Sequence, residues 1–163
     1  MKYFIDTEFN EKPGLLELIS IGVVSEDSRE YYAVSSEWKR QNCNEWVKDN
    51  VLPFIRYSPN QWKSNRDIAH DIASLVNDDP NPIFVGYYCD YDWVLFCWLF
   101  GTMMDLPRNF PMYCIDLKQE LDILQVEKPE LPSIGNHNAL VDAIWIKDCY
   151  IHLLNKGSKL WTL

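Results

Sequence analysis

The spacing of apolar and polar residues changes period several times along the chain, and each change predicts an element. Lys2 to Asp6 is aromatic and β-branched and predicts a buried opening strand. Glu17–Val24 and Glu30–Val34 are two further strand-like runs separated by the polar turn Ser25-Glu26-Asp27-Ser28, so three antiparallel strands are expected first. The period then lengthens. Ser64-Asn65-Arg66-Asp67 is a Ser-x-x-Asp start signal for a helix carrying Ile68, Ile72, Leu75 and Val76 on one side. Pro82–Tyr87 predicts a fourth strand, Trp93–Gly101 an apolar helix stopped by glycine, Met112–Ile115 a short strand and Leu117–Leu124 a helix. From Asn138 to Leu154 the residues Val141, Ile144, Trp145, Cys149 and Leu153 repeat at helical spacing, with Gly157 as a stop. Extra helical material is expected near Glu45–Val51. The order β-β-β-α-β-α-β-α predicts an α/β fold, a mixed sheet flanked by helices.

Three polar patches interrupt these elements and change the picture. Asp6 and Glu8 are two apart on the first strand and project from the same face. Two such carboxylates repel each other and lose hydration unless a cation joins them, and hard oxygen ligands suit Mg²⁺ or Mn²⁺. The alternative is a pair at a solvated strand end. Asp142 lies one turn from Trp145 and Ile146, on or beside the buried face of the last helix, where a carboxylate needs a partner. His137 precedes that helix in the loop-like Gly135-Asn136-His137, and its near-neutral titration suits a general base for water, or simply a surface histidine. Between these patches stands Tyr91-Asp92-Trp93. Asp92 would lie in the first turn of the apolar helix, but Asp90 competes with it, and either could be a helix cap.

In order and spacing, Asp6-x-Glu8, a distant Asp92 and His137-x-x-x-x-Asp142 resemble the DEDDh branch of the DnaQ-like 3′→5′ exonucleases. The stretches Asp6–Phe9, Glu17–Val24, Arg29–Val34 and His137–Asp142 look like the small bacterial and phage exoribonuclease family of the mycobacterial type, a resemblance running from Met1 to about Leu154. It implies a ribonuclease H-like fold and two divalent metal ions, Mg²⁺ or Mn²⁺. In that family pattern Asp6 bridges both metals, Glu8 and Asp142 complete the one that activates water, Asp92 holds the hydration shell and His137 takes the proton. The implied substrate is a single-stranded RNA or DNA 3′ end and the product a nucleoside 5′-monophosphate. A homodimer is expected because related exoribonucleases often pair. Many family members have Asn where this chain has Tyr88, which leaves the middle patch the weakest match.

Composition narrows the reading. The 163 residues, 47% of them hydrophobic, suffice for one substantial core, so residues 1–163 are expected to form a single exonuclease domain. No run of about 18 apolar residues could cross a bilayer. The opening strand leaves no room for a signal peptide, so a soluble, cytosolic protein without membrane attachment is expected. Five cysteines with no Cys-x-x-Cys argue against a disulfide framework or a zinc site. The net charge of -9 opposes tight grip on long polyanions. Four of the acids belong to the proposed site, however, and an exonuclease needs only a 3′ end. Aromatics supply 14% of the chain. Phe9, beside the carboxylate pair, is the candidate for stacking on the terminal base, whereas Trp98 and Trp145 are expected in the core and His70 and His152 as structural residues. A DNA-directed exonuclease, an inactive binding module and an endonuclease of the same fold are the other readings.

Overall fold

The computed structural model describes residues 1–55, 59–130 and 137–156. Gly135-Asn136 ahead of His137 and the stop signal Gly157 lie outside the described residues. Strands β1 (Lys2–Lys12), β2 (Leu15–Ser25) and β3 (Glu30–Ser35) form the expected antiparallel start. Helix α1 (Glu45–Asn50), strand β4 (Trp62–Lys63), helix α2 (Asn65–Val76), strand β5 (Ile83–Gly86) and helix α3 (Asp90–Phe100) follow. Strand β6 (Ile115–Asp116) and helices α4 (Leu117–Leu124) and α5 (Ala139–Asn155) complete the chain. The sheet order is β4-β3-β2-β1-β5-β6, with β5 and β6 parallel to β1. Strand β4 was not expected. It is two residues long, forms an edge of the sheet in parallel with β3, and is too short to carry a period. The short strand anticipated at Met112–Ile115 forms later, at Ile115–Asp116.

The two faces of β1 sort the core. Tyr3 and Ile5 pack with α2 and α3 residues such as Ile68, Ile72 and Phe96. Phe4 faces the other way, against Trp145, Cys149 and Leu153 of α5. On β2 the alternation breaks: Glu8 pairs with Ser20 but Phe9 with Leu18, so Ile19 is an extra residue, a β-bulge. The bulge reverses facing, which is why Leu16 and Leu18 share the α2/α3 core with Ile21 and Val23 while Ile19 joins α1. It falls directly after the second carboxylate of β1.

Helix ends follow local chemistry. Ser64 caps α2 by accepting from the Asp67 N–H, and Asn138 caps α5 by accepting from the Val141 N–H. Asn138 also donates to the Phe54 carbonyl, which ties the start of α5 to the segment after α1. Helix α3 is apolar all round and has no side-chain cap; its N-cap is Cys89. Trp98, expected in the core, is 54% exposed, because an all-round apolar helix has no period to say which side faces solvent. Trp145 is buried as expected. His70 is exposed and His152 half-buried. No described helix is long and apolar enough to cross a membrane.

Candidate active site

Alternation on β1 sends Asp6 and Glu8 toward α5, on the face of Phe4. Directly across the ladder from Asp6 is Gly22. A Cβ there would sit 2.2 Å from the Ala139 carbonyl oxygen and 2.5 Å from the Leu140 nitrogen. Glycine therefore lets the first turn of α5 lie on the backbone of β2. One turn further along α5, Asp142 joins the pair: single carboxylate oxygens of Asp6, Glu8 and Asp142 all lie within 4.8 Å of one another. Two elements distant in sequence thus build one acidic centre.

Its electrostatics are unfavourable as they stand. Desolvation, then the charges of Asp92, Glu8 and Asp142, drives Asp6 well above the usual carboxylate range. Burial, with Asp142 and Asp92 nearby, pushes Glu8 up to about 8. Asp142 is raised by burial and partly relieved by His137, whose backbone N–H donates to Asp142 Oδ2 at 3.0 Å. The Ser20 hydroxyl, opposite Glu8, is fully buried with no hydrogen-bond partner among the described residues. A converging set of oxygen ligands that cannot all stay charged, beside an unsatisfied hydroxyl, fits a hydrated hard divalent cation.

Asp92 stands apart from the trio. Thr7, between Asp6 and Glu8 but facing the other side of β1, donates to Asp92 Oδ1 from its N–H at 2.8 Å and from its hydroxyl. Burial raises Asp92 to about 6 against those two hydrogen bonds, which pull it down. Among neighbouring charges, Asp92 is the largest acting on Asp6. Asp90 is exposed, so the structure turns Asp92 and not Asp90 inward, and neither caps α3. His137 packs its ring edge-on against Trp46 of α1, centroids 5.0 Å apart. Phe9 meets Tyr91 edge-to-face at 5.6 Å, at the margin of the α2/α3 core. The helices bearing the later carboxylates are both entered through left-handed residues, Tyr88 (φ 53°) before α3 and His137 (φ 66°) before α5. Asn adopts that conformation more easily than tyrosine, so Tyr88 stands at a backbone position that favours the Asn the resemblance implies there.

No protein-family model matches the chain. It is 38% identical over 146 residues to the 3′-5′ exoribonuclease MT2234.1 of Mycobacterium tuberculosis (strain CDC 1551 / Oshkosh), covering 88% of this chain and 87% of that protein. The 3′-5′ exoribonuclease Rv2179c of strain ATCC 25618 / H37Rv matches with the same identity and coverage. The chain belongs to this 3′-5′ exoribonuclease family. Solved structures agree on the ribonuclease H-like exonuclease fold. A zinc-bound E. coli ExoI–ssDNA complex aligns with 98% of this family member at a TM-score of 0.65 and 14% identity, and this chain spans only 41% of that one. A full-length 3′-exonuclease aligns with 96% of it, and with 82% of its own length, at a TM-score of 0.55 and 12% identity.

Sequence reasoning passed over four residues that shape the site: Thr7, Gly22, Trp46 and Asn138. Thr7 sits inside the Asp-x-Glu triplet, and alternation alone puts it on the opposite face. A glycine within a strand signals close backbone approach, and Asn138 stands where a helix cap belongs. Trp46 gives no such signal, since only tertiary packing brings α1 to His137.

Proposed function

We propose that this protein is a metal-dependent 3′→5′ exoribonuclease acting on single-stranded 3′ ends. The observation that carries this reading is the convergence of Asp6, Glu8 and Asp142 within 4.8 Å, with Asp92 beside them. Asp6 would hold both of two divalent ions, Mg²⁺ or Mn²⁺. Glu8 and Asp142 would help hold one of them, and Asp92, already engaged by Thr7, would orient water around them. Two such ions, when bound, supply positive charge to the attacking and leaving oxygens of an in-line displacement.

The residues of the chain do the rest. Phe9, backed by Tyr91, stacks on the terminal base and sets the last phosphodiester over the carboxylates. His137 accepts a proton from the attacking water. What supports this role is that its N–H donates to Asp142 and its ring packs against the exposed Trp46. The new bond joins water oxygen to phosphorus, the bond from phosphorus to the 3′ oxygen of the preceding nucleotide breaks, and a nucleoside 5′-monophosphate leaves. The preference for RNA rests on the names of the relatives.

The test is a time course on 5′-labelled single-stranded RNA and matched DNA with Mn²⁺, Mg²⁺ or chelator, beside Asp6→Ala. The expected result is a metal-dependent ladder shortening from the 3′ end, faster on RNA and absent in the variant. Faster digestion of DNA would make it a DNA-directed exonuclease. A folded, metal-loaded protein that cuts neither would overturn the enzyme reading in favour of a binding module.

A further inference from the structure

We propose that a groove between α4 and residues 125–128 is a second binding site, holding the phosphates and bases of single-stranded RNA upstream of the scissile end. The inference rests on the exonuclease reading for its direction. The groove measures about 620 Å³, a size suited to a nucleotide-scale ligand, and its walls include Tyr87, Lys118, Gln125 and Lys128. Gln125, in the left-handed conformation at the end of α4, turns the chain back so that residues 126–128 form the far wall.

Cations and rings alternate across it. Lys118 Nζ lies 5.9 Å from the Tyr88 ring, and Tyr88 meets Tyr87 at 5.0 Å. Lys128 Nζ rests 5.6 Å from the Tyr87 ring and 5.4 Å from that of Trp145. In a chain of net charge -9, the two lysines offset the groove's own carboxylates, Asp122 and Glu127, so the stretch is locally neutral and offers lysine heads and aromatic faces to a strand with π faces. A chain of contacts that starts at Lys118 and Tyr88 links the groove to the candidate site. The Tyr88 and Cys89 N–H groups donate to Asp116 at 3.2 and 3.3 Å, Asp116 acts electrostatically on Asp92, and α3 begins at the next residue, Asp90. The path proposed for a strand whose 3′ end lies at Asp92 runs past Tyr88, then Lys118, then Lys128. Lys118 is currently paired with Asp122, so a phosphate must compete with that carboxylate.

The experiment compares the parent with Lys118→Ala/Lys128→Ala on a long single-stranded RNA and on a dinucleotide. The expected KM for the long RNA rises on the order of tenfold with kcat unchanged, while dinucleotide kinetics stay as in the parent. The slope of log kcat/KM against log salt should shrink by about 1.4, since each single-strand phosphate contact contributes roughly 0.7. The double Lys→Arg variant should behave as the parent. Asp122→Asn, which frees Lys118, should lower KM for the long RNA, an effect that a merely structural role would not give. Equal losses on both substrates, or an unchanged salt slope, would overturn the proposal. Anisotropy of labelled RNA in chelator separates the two readings: about tenfold weaker binding by the Ala variant supports the groove even if no hydrolysis is seen, and equal binding overturns it.

Discussion

The two halves of the acidic centre are built on opposite principles. Asp6, Glu8 and Asp142, from β1 and α5, crowd together, and backbone donors at the start of α5, the His137 N–H among them, reach only Asp142 of the trio among the described residues. Asp92, from α3, is more deeply buried than Asp142 yet is held by two donors from Thr7. A carboxylate that fold donors satisfy is a fixed orienting charge, whereas crowded carboxylates that repel one another call for a cation. The first half would ligate directly and the second would act through water. That difference ranks their expected contributions.

The sharpest way to break the comparison is to neutralise one member of each half. Asp6→Asn should lower kcat by at least about 10⁴-fold, because on the proposed reading it would remove the ligand that holds both ions, whereas Asp92→Asn should cost about 10–100-fold, the usual range for an outer partner. Single-turnover rates at saturating Mn²⁺ measure both. Equal losses would place Asp92 in the inner set and erase the distinction.

Gly22→Ala attacks the first half without touching a carboxylate. The new Cβ would meet backbone atoms of Ala139 and Leu140 that cannot rotate away, so α5 must lift. We expect a cost of about 2–3 kcal/mol, which for a chain of this size is a Tm lower by roughly 4–12 °C. Thermal unfolding with and without Mn²⁺ checks it: metal-induced stabilisation should shrink in the variant, since Asp142 moves away from Asp6. Unchanged stabilisation would show that α5 does not need that close contact.

Legibility in the sequence follows the same division. The strand pattern of β1 and the helical period of α5 were sufficient to find Asp6, Glu8 and Asp142, because each carboxylate rides on an element with strong periodicity. α4 was placed at its observed bounds, and β2, β3 and α2 to within a residue or two. What escaped depends on contacts distant in sequence: the bulge at Ile19, the edge pair Trp62-Lys63, the exposure of Trp98, and the grip of Thr7 on Asp92. Asp90 and Asp92 look equivalent along the chain. Only the approach of α3 to β1 separates them.

Removing metal should expose the repulsion in the first half as a pH dependence. Glu8 titrates near 8 in the folded protein and near the ordinary glutamate range when unfolded, so folding favours its protonated form. Stability from this group is complete below about pH 4.3 and is lost as pH rises through 8. In chelator, Tm should therefore fall between pH 5 and 8, and added Mn²⁺ should restore more at pH 8 than at pH 5. Glu8→Gln should flatten the chelator profile and raise Tm at pH 8. A metal-free Tm that rises across this window would contradict the crowding.

Thr7→Val makes the smallest and most selective change, in the second half. It keeps the N–H donor to Asp92 and removes the hydroxyl donor, which favours the ionised carboxylate. With Asp92 already raised to about 6, losing that hydroxyl moves it further up, so its charge forms at higher pH. The acid limb of the kcat/KM profile should shift upward, with a loss of about three- to tenfold at pH 6 and close to parental activity at pH 8. Thr7→Ser should restore the parental limb, because serine keeps the donor. A uniform loss at every pH would mean that Thr7 merely packs against α3. A pH-selective loss, rescued by serine, would mean that the fold itself, through one hydroxyl on the far face of β1, keeps Asp92 charged while its three neighbours depend on the cation.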